Sequence, residues 1–388
     1  MTQPLVRSEP TYGVAVERDV MVPVRDGTRL ATDLYFPALD GRPAPGPFPV
    51  VLERTPYNKA DPRRAAQGHY FAQRGYVAAF QDVRGRYRSE GTFTKYVDDG
   101  PDGYDTVGWL VAQPWCSGKV GTFGISYGAH TQGAMACLNP PGLAFCFYDS
   151  GAFASAYHSA CRNGGAFELR QATWAYREAC NSHAALSDPT VKAALEAEDI
   201  AAWFQRLPWR PGHSPLRWAP EYEAYLLELW TREVFDAYWR QVGLCFQAHY
   251  EASADIPQVH FGSWYDPYAK STTDNFVALS RLKGGPVFLI MGPWTHGQHD
   301  VTYAGDVDFG PQATVAGALA EDYNDLRLRF FDRFLKGLDN ALEREPRVRY
   351  FLMGGGSGRR NAEGRLDHGG QWRTADAWPP PRPPPPPP

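Results

Sequence analysis

The segment Gly121–His130 constrains the fold of this chain more than any other. Residues 124–128 have the pattern G-x-S-x-G, and they stand between a short apolar run and a helix-compatible one. This pattern is typical of a sharp strand-to-helix turn that lifts a serine hydroxyl clear of a sheet. Such a turn strains the serine backbone, so we expect a side chain at either flanking glycine to crowd it. Ser126 is therefore a candidate nucleophile, and the free N–H groups of the following helix would favour an oxyanion beside it.

Length and charge narrow the class of protein. A chain of 388 residues predicts one large α/β domain with an insertion or a second domain. A net charge of −4 argues against nucleic acid or an anionic membrane surface as the main partner. The first ten residues lack an apolar signal-peptide core, and no apolar run approaches the roughly 18 residues of a membrane span. We therefore expect a cytoplasmic protein.

The cysteines and histidines, which commonly bind metals, do not have the spacing of a metal site. The six cysteines are scattered without a C-x-x-C pair, which predicts free and mostly buried thiols. The ten histidines show no H-E-x-x-H pattern. We therefore expect neither a metal nor another cofactor.

Alternating strand and helix patterns flank a central segment whose sequence pattern is different. A predicted hairpin over Ala15–Pro37 turns at an Asp-Gly step. The other predicted strands are Phe48–Leu52, Tyr76–Gln81, Lys119–Ile125, Leu143–Tyr148, Gln258–Phe261 and Val287–Met291. The predicted helices between them are Arg63–Arg74, Asp102–Ala112, Thr272–Leu282 and Glu321–Leu335. This alternation predicts a mainly parallel, doubly wound sheet, which together with the serine turn indicates an α/β-hydrolase fold.

The central segment has helical periodicity and many tryptophans and tyrosines. Its longest predicted helices are Ala193–Trp203 and Glu221–Trp239. We interpret residues 152–254 as a helical cap inserted into a core formed by residues 1–151 and 255–345. Residues 346–388 begin with the strand-like run Val348–Met353 and end in prolines, which are expected to form an extended tail.

A nucleophilic serine needs a base to take its proton and an acidic group to orient that base. In this fold the acid and then the histidine follow the serine along the chain, on loops after late strands. Asp266 and His296 satisfy both order and placement. His299, slightly further along the same loop, stays open as a rival base.

The other titratable candidates fit less well. His260 lies within a predicted strand, and His130 is expected to face away from the serine turn. Asp82 comes too early in the chain, and its neighbours predict a turn or ion-pair role. The histidines of the cap are expected on its surface or along a pocket: His158, His183, His213 and His249. The acids that follow the histidine break the order: Asp300, Asp306 and Asp308.

These residues also carry a family resemblance. The chain resembles the cocaine esterase family of serine hydrolases, which is related to X-Pro dipeptidyl-peptidases and α-amino-acid ester hydrolases. The matching segments are Met21–Gly27, Arg54–Tyr57, Asp82–Gly91, Trp115–Gly128, Gly262–Asp266 and Gly292–His296. The resemblance implies that the Tyr57 hydroxyl and the Tyr127 backbone N–H bind the oxyanion. It also implies that residues from about 346 are the start of a truncated jelly-roll domain.

The expected activity is hydrolysis of carboxylic esters through a Ser126 acyl-enzyme. An aromatic or bulky apolar acyl group is expected because the cap is rich in Trp and Tyr. An X-Pro dipeptidyl-peptidase or an amino-ester hydrolase or amidase is the alternative, and it would need acidic residues such as Asp149, Glu168 or Glu221 in the pocket. A catalytically silent paralogue is a further alternative. If the jelly roll is missing, exposed apolar surface predicts self-association through Val348–Met353 or the flank of the cap.

Overall fold

The computed structural model describes residues 6–381, so the very start of the chain and the terminal run of prolines lie outside the described residues. The strands are β1 Gly13–Pro23, β2 Arg29–Leu39, β3 Arg42–Pro43, β4 Phe48–Thr55, β5 Val77–Asp82, β6 Cys116–Ile125, β7 Leu143–Asp149, β8 Arg162–Asn163, β9 Ala166–Phe167, β10 Gln258–Tyr265, β11 Val287–Thr295, β12 Tyr303–Ala304, β13 Val307–Asp308, β14 Val348–Met353, β15 Leu366–Asp367 and β16 Gly370–Ala375. The α-helices are α1 Pro62–Gln73, α2 Asp99–Val111, α3 Tyr127–Ala136, α4 Ala156–Ser159, α5 Arg170–Ala179, α6 His183–Ser187, α7 Pro189–Glu196, α8 Ile200–Trp203, α9 Pro220–Thr231, α10 Ala269–Leu282, α11 Val315–Ala318 and α12 Tyr323–Lys336. Short 3₁₀ turns are Phe204–Arg206, Phe246–His249, Pro311–Ala313 and Leu342–Arg344.

One large sheet runs through the molecule in the order β1-β2-β5-β4-β6-β7-β10-β11-β14-β16. Its seven strands from β5 to β14 are mutually parallel, and antiparallel strands flank them at both ends. The predicted hairpin forms as β1 and β2, with Gly27 at φ 87° in the turn. The prediction of a mainly parallel sheet is confirmed.

Helices cover both faces of this sheet, because its strands are apolar on both sides. On one face α2, α3 and α10 bury residues such as Leu110, Met135 and Leu279 against the strands. On the other face α1 and α12 bury Phe71 and Phe331. The carboxyl ends of the parallel strands lie at one edge of the sheet, and this edge faces the segment 152–254.

The segment 152–254 is helical, but its helices are shorter than its periodicity predicts. The predicted helix Ala193–Trp203 is wrong, because α7 ends at Glu196 and α8 begins after Asp199. The Asp199 carboxylate accepts the N–H groups of the first turn of α8, so it starts a new helix. The predicted helix to Trp239 ends at Thr231, and the Trp239 indole N–H donates to the freed carbonyl of Arg232 at 3.0 Å. Side chains close by in the sequence therefore mark both boundaries.

Val348–Met353 lies inside the main sheet as β14. It pairs in parallel with β11 on one side and antiparallel with β16 on the other. The prediction that this run starts a truncated jelly-roll domain is wrong for β14, and because β14 is paired on both sides it is not available as the predicted strand for self-association. Self-association of the chain stays a prediction.

Within residues 6–381, no helix is long and apolar enough to cross a membrane. All six cysteines are free, and four of them are buried.

Candidate active site

Four expected functional residues lie at the carboxyl ends of neighbouring parallel strands. Tyr57 follows β4, Ser126 follows β6, Asp266 follows β10 and His296 follows β11. Parallel strands place their carboxyl ends at the same edge of a sheet, where ligands bind in open α/β folds. Residues separated by up to 239 positions therefore meet at one edge.

Ser126 occupies the strained turn that its motif predicts. Its φ is 60° and its ψ is −117°, and its N–H donates to the Asp149 carbonyl oxygen at 2.9 Å. A Cβ on Gly124 would lie 2.9 Å from the Gly128 backbone, so this glycine is required. A Cβ on Gly128 would meet nothing closer than 3.6 Å, so the expectation of crowding is wrong at this position. Gly151, which the motif does not include, would place a Cβ 2.4 Å from the Ser126 carbonyl oxygen.

The Asp266 carboxylate orients the His296 ring. Oδ2 of Asp266 lies 2.5 Å from Nδ1 of His296, and Oδ1 accepts the Tyr268 backbone N–H at 2.7 Å. The Asp266 side chain is fully buried, whereas 36% of the His296 side chain is exposed. This hydrogen bond holds Nδ1 as the donor and leaves Nε2 as a free acceptor for a proton.

Ser126 and His296 open into one cavity of about 320 Å³ between the sheet edge and the helical segment. Its lining residues are Tyr57, Lys95, Tyr96, Ile125, Ser126, Tyr127, Phe153, Arg170, Gln171, Thr173, Trp174, Arg177, Tyr268 and His296. Aromatic side chains supply much of the wall. No aspartate or glutamate belongs to this lining within the described residues.

The hydroxyl of Tyr57 belongs to the wall of the same cavity as Ser126. Its oxygen accepts the Trp174 indole N–H at 3.0 Å, which leaves its own proton for another acceptor. Burial raises the pKa of this hydroxyl, while hydrogen bonds from Trp174 and Ser126 partly oppose that rise. The group therefore stays protonated at neutral pH. Tyr127 is the first residue of α3, so its N–H has no acceptor within the helix.

The rival residues lie elsewhere. His299 is buried behind the site, with Nε2 3.4 Å from Oδ1 of Asp149, and it does not line the cavity. His260 is buried in β10 against Tyr148, and His130 is buried between Tyr96 and Phe153. Burial lowers the pKa of each of these two rings to about 3. These positions favour His296 as the base.

Asp82 shapes a turn. It ends β5 and accepts the Lys59 backbone N–H at 2.7 Å and the Arg88 backbone N–H at 3.3 Å. Burial raises its pKa to about 6. Its neighbour Arg84, which the sequence offered as an ion-pair partner, binds Asp102 instead.

The acids that an amine-binding pocket would need are also elsewhere. Asp149 is buried behind the sheet edge beside His299 and accepts the Tyr323 hydroxyl. Glu168 pairs with Arg170, and Glu221 lies in the first turn of α9. None of the three lines the cavity among the residues that the structure describes.

Sequence reasoning missed several lining residues. Lys95 lies in the loop between β5 and α2, and Arg170 and Trp174 lie on α5. No local motif marks these positions. In the sequence Trp174 is one of many aromatic residues of the segment 152–254, yet it is the one tryptophan of this segment that lines the cavity. Trp209 and Trp239 pack within the helical segment itself, whereas Trp218 is exposed.

Known proteins are similar to this chain in sequence. The family described as X-Pro dipeptidyl-peptidase (S15 family) matches residues 26–298. Cocaine esterase of Rhodococcus sp. (strain MB1 Bresler) is 31% identical over 377 residues, which are 95% of this chain and 61% of that protein. The chain thus spans about three fifths of the length of this relative. The resemblance to cocaine esterases is confirmed.

Solved structures share the fold. An aminopeptidase from a marine sediment Thaumarchaeota archaeon matches with a TM-score of 0.67 at 20% identity, over 98% of this chain and 62% of that chain. A CocE/NonD family hydrolase from Staphylococcus aureus matches with a TM-score of 0.64 at 19% identity, over 95% of this chain and 57% of that chain. At these identities the two likenesses show the fold alone, and the expected α/β fold class is confirmed. With its family pattern spread over residues 26–298, the chain belongs to the X-Pro dipeptidyl-peptidase (S15) family.

Proposed function

We propose that this chain is a serine hydrolase that cleaves carboxylic esters through a covalent acyl-enzyme. One observation carries the proposal. Ser126 in its strained turn and the hydrogen-bonded His296–Asp266 pair open into the same cavity. A nucleophile, a base and the group that orients the base are the parts that acyl transfer needs.

The residues of the site divide the reaction between them. His296 Nε2 takes the proton of Ser126 as Oγ attacks the ester carbonyl carbon, and it then gives that proton to the leaving alkoxide. Asp266 stabilises the imidazolium through Nδ1–H. The Tyr57 hydroxyl and the Tyr127 N–H bind the oxyanion of the tetrahedral intermediate. A water molecule, activated by His296, releases the acid and restores Ser126.

The lining of the cavity favours an ester over an X-Pro peptide. A dipeptidyl-peptidase must bind a cationic amine, and within residues 6–381 no carboxylate lines the cavity. Cocaine esterase, a relative by sequence, supports the same choice. Aromatic walls formed by Tyr96, Phe153 and Tyr268 suit a bulky substrate group.

Labelling with a fluorescent fluorophosphonate tests the nucleophile, because this probe reacts with an activated serine. The wild-type chain should be labelled and should hydrolyse p-nitrophenyl esters faster than X-Pro-p-nitroanilides. Ser126→Ala and His296→Ala should each lower ester turnover by several orders of magnitude, since such residues act as a unit.

Ser187→Ala and His213→Ala are matched controls at exposed positions outside the cavity. Both should keep the wild-type rate. A Ser126→Ala variant that keeps more than about a tenth of the rate would contradict the assignment. An unlabelled, inactive wild type would identify the silent paralogue, and faster cleavage of X-Pro-p-nitroanilides would identify the peptidase.

A further inference from the structure

Lys95 brings an amino group into the wall of the cavity. Its side chain is buried, and its residue is only 4% exposed. Nζ donates to Oε1 of Gln171 at 2.8 Å and lies 3.7 Å from the centre of the Trp174 ring. Neither neighbour carries a negative charge.

A buried lysine in a folded protein is ordinarily paired with a carboxylate. Lys59 shows the usual solution, since its Nζ binds Asp19 at 2.7 Å and Asp33 at 2.5 Å. Lys95 has no such ion pair within the described part of the chain. Burial accordingly lowers the pKa of Lys95 to about 7. The cavity wall therefore holds an amino group that is only partly charged at neutral pH, and the protein supplies no carboxylate to stabilise its charged form.

Arginines extend this positive character along α5. Arg170 and Arg177 both line the cavity. Arg170 is bound by Glu168, and Arg177 shares Glu178 with the buried Arg86. Four cations in this region thus meet only two carboxylates, and both carboxylates lie outside the cavity lining.

Trp174 links this cationic wall to the reacting atoms. One face of its indole contacts Lys95, and its N–H binds the Tyr57 hydroxyl at 3.0 Å. The ring also stacks on Tyr127, with the ring centres 5.7 Å apart. Lys95 is therefore about one indole ring away from the oxyanion site, a span that a few carbon atoms of a substrate can bridge.

From this arrangement we infer that the cavity selects esters that carry a second, anionic group, and that Lys95 recognises that group. A substrate carboxylate would supply the missing counter-charge and would accept charge-assisted hydrogen bonds from Nζ. Arg170 and Arg177 would favour its entry. The inference rests on the proposed esterase function and names the substrate class of the same site. The anion can lie on the acyl or on the alcohol side of the ester, because the carbonyl carbon is common to both.

Matched esters test the substrate class on the wild-type chain. On the acyl side, the p-nitrophenyl monoesters of succinate, glutarate and adipate are compared with p-nitrophenyl valerate and with p-nitrophenyl 4-aminobutyrate. On the alcohol side, 4-acetoxybenzoate is compared with its neutral isostere 4-acetoxybenzamide. We expect kcat/KM to be about 10- to 100-fold higher for the anionic ester on at least one side, as a charged hydrogen bond implies. Equal rates, or a preference for the neutral or the cationic ester on both sides, would overturn the inference.

Substitutions at Lys95 test which residue recognises the anion. Lys95→Met keeps the length of the side chain without its charge, and it should abolish the preference while the neutral esters are still hydrolysed. Lys95→Arg should retain part of it. Lys192→Met, on the exposed face of α7 where Lys192 pairs with Glu196, is the matched control and should leave the preference unchanged. A preference that survives in folded Lys95→Met would overturn the role of Lys95.

A binding measurement separates this inference from the proposed function. Titration calorimetry of glutarate and of 4-hydroxybenzoate into Ser126→Ala requires no turnover. If no ester is hydrolysed but one of these anions binds and Lys95→Met weakens its binding tenfold or more, the proposed function fails and the anion site stands. If neutral esters are hydrolysed without any anion preference and neither anion binds, the esterase stands and the inference fails.

Discussion

Tyr57 shows how one tertiary contact gives a side chain its chemistry. The Trp174 N–H occupies one lone pair of the Tyr57 hydroxyl and leaves its proton free for an oxyanion in the cavity. Such a preset donor stabilises charge that develops only in the transition state. The role proposed for Tyr57 therefore depends on a residue of the helical segment.

Removing this donor should slow the reaction and leave substrate binding almost unchanged. We expect Tyr57→Phe to lower kcat by about a hundredfold with little change in KM, because one of two oxyanion donors is lost. Steady-state kinetics on p-nitrophenyl esters measures both constants. Tyr303→Phe, in the half-exposed strand β12, is the control. A rise in KM alone would instead make Tyr57 a wall of the pocket.

His130 should make the fold sensitive to acid. Its ring is buried, neither ring nitrogen has a hydrogen-bond partner within residues 6–381, and burial lowers its pKa to about 3. Below pH 6.5 the unfolded chain binds a proton at this residue that the folded chain does not bind, so the stability falls as the pH falls. At pH 5 the resulting loss in the free energy of unfolding is about 2 kcal/mol.

Replacing His130 by phenylalanine should remove this loss. Urea unfolding of wild type and His130→Phe at pH 7.5 and pH 5 should show the variant losing about 2 kcal/mol less between the two values. Buried carboxyls such as Asp99, whose pKa burial raises to about 7, act in the opposite direction but equally in both proteins. The exposed His213→Phe is the control. An identical pH difference in wild type and His130→Phe would show that His130 can be protonated in the folded state.

The two glycines of the G-x-S-x-G motif, in the strand-turn-helix element formed by β6 and α3, differ in the space available for a side chain. Gly124 has φ 144° and no room for a Cβ, whereas Gly128 is helical and has ordinary space around it. We expect Gly124→Ala to lower the free energy of unfolding by about 1–3 kcal/mol and to reduce turnover, because the turn that presents Ser126 must shift. Thermal unfolding and ester kinetics measure the two effects.

Gly128→Ala is the matched variant at the second glycine of the motif, in the first turn of α3. It should be neutral or raise the free energy of unfolding by up to about 1 kcal/mol, because alanine is the better helix former. Its rate should stay within a few fold of wild type. If both alanine variants lost activity equally, the spacing around Gly128 described above would be wrong.

At the scale of the whole molecule, Arg86 joins the sheet edge to the helical segment. This fully buried side chain donates to the Pro56 carbonyl oxygen at 3.0 Å and to Oε2 of Glu178 at 2.7 Å, and it also contacts the Tyr222 hydroxyl. Arg86→Met should lower the free energy of unfolding by about 3–5 kcal/mol, because it leaves Glu178 buried without this partner.

A double substitution separates this pairing from simple loss of packing. Arg86→Met with Glu178→Gln should recover part of the stability lost in Arg86→Met, since the uncompensated charge is gone. Arg63→Met, which removes an exposed arginine paired with Asp61, should change the stability by less than about 1 kcal/mol. Additive losses in the double variant would mean that the ion pair does not couple the two parts of the chain.

Features that depend on neighbouring residues could be predicted from the sequence alone. Alternating apolar runs predicted the strands, and the G-x-S-x-G turn with the order of Asp266 and His296 predicted which strand ends carry the candidate site. Contacts across the molecule were needed to show that Val348–Met353 joins the main sheet and that Lys95 and Trp174 line the same cavity as Ser126. The physical reason is that these outcomes depend on contacts between residues far apart in the chain. A local pattern records the conformation of a segment, whereas the order of strands in the sheet and the packing of the helical segment decide which distant charges and hydroxyls meet.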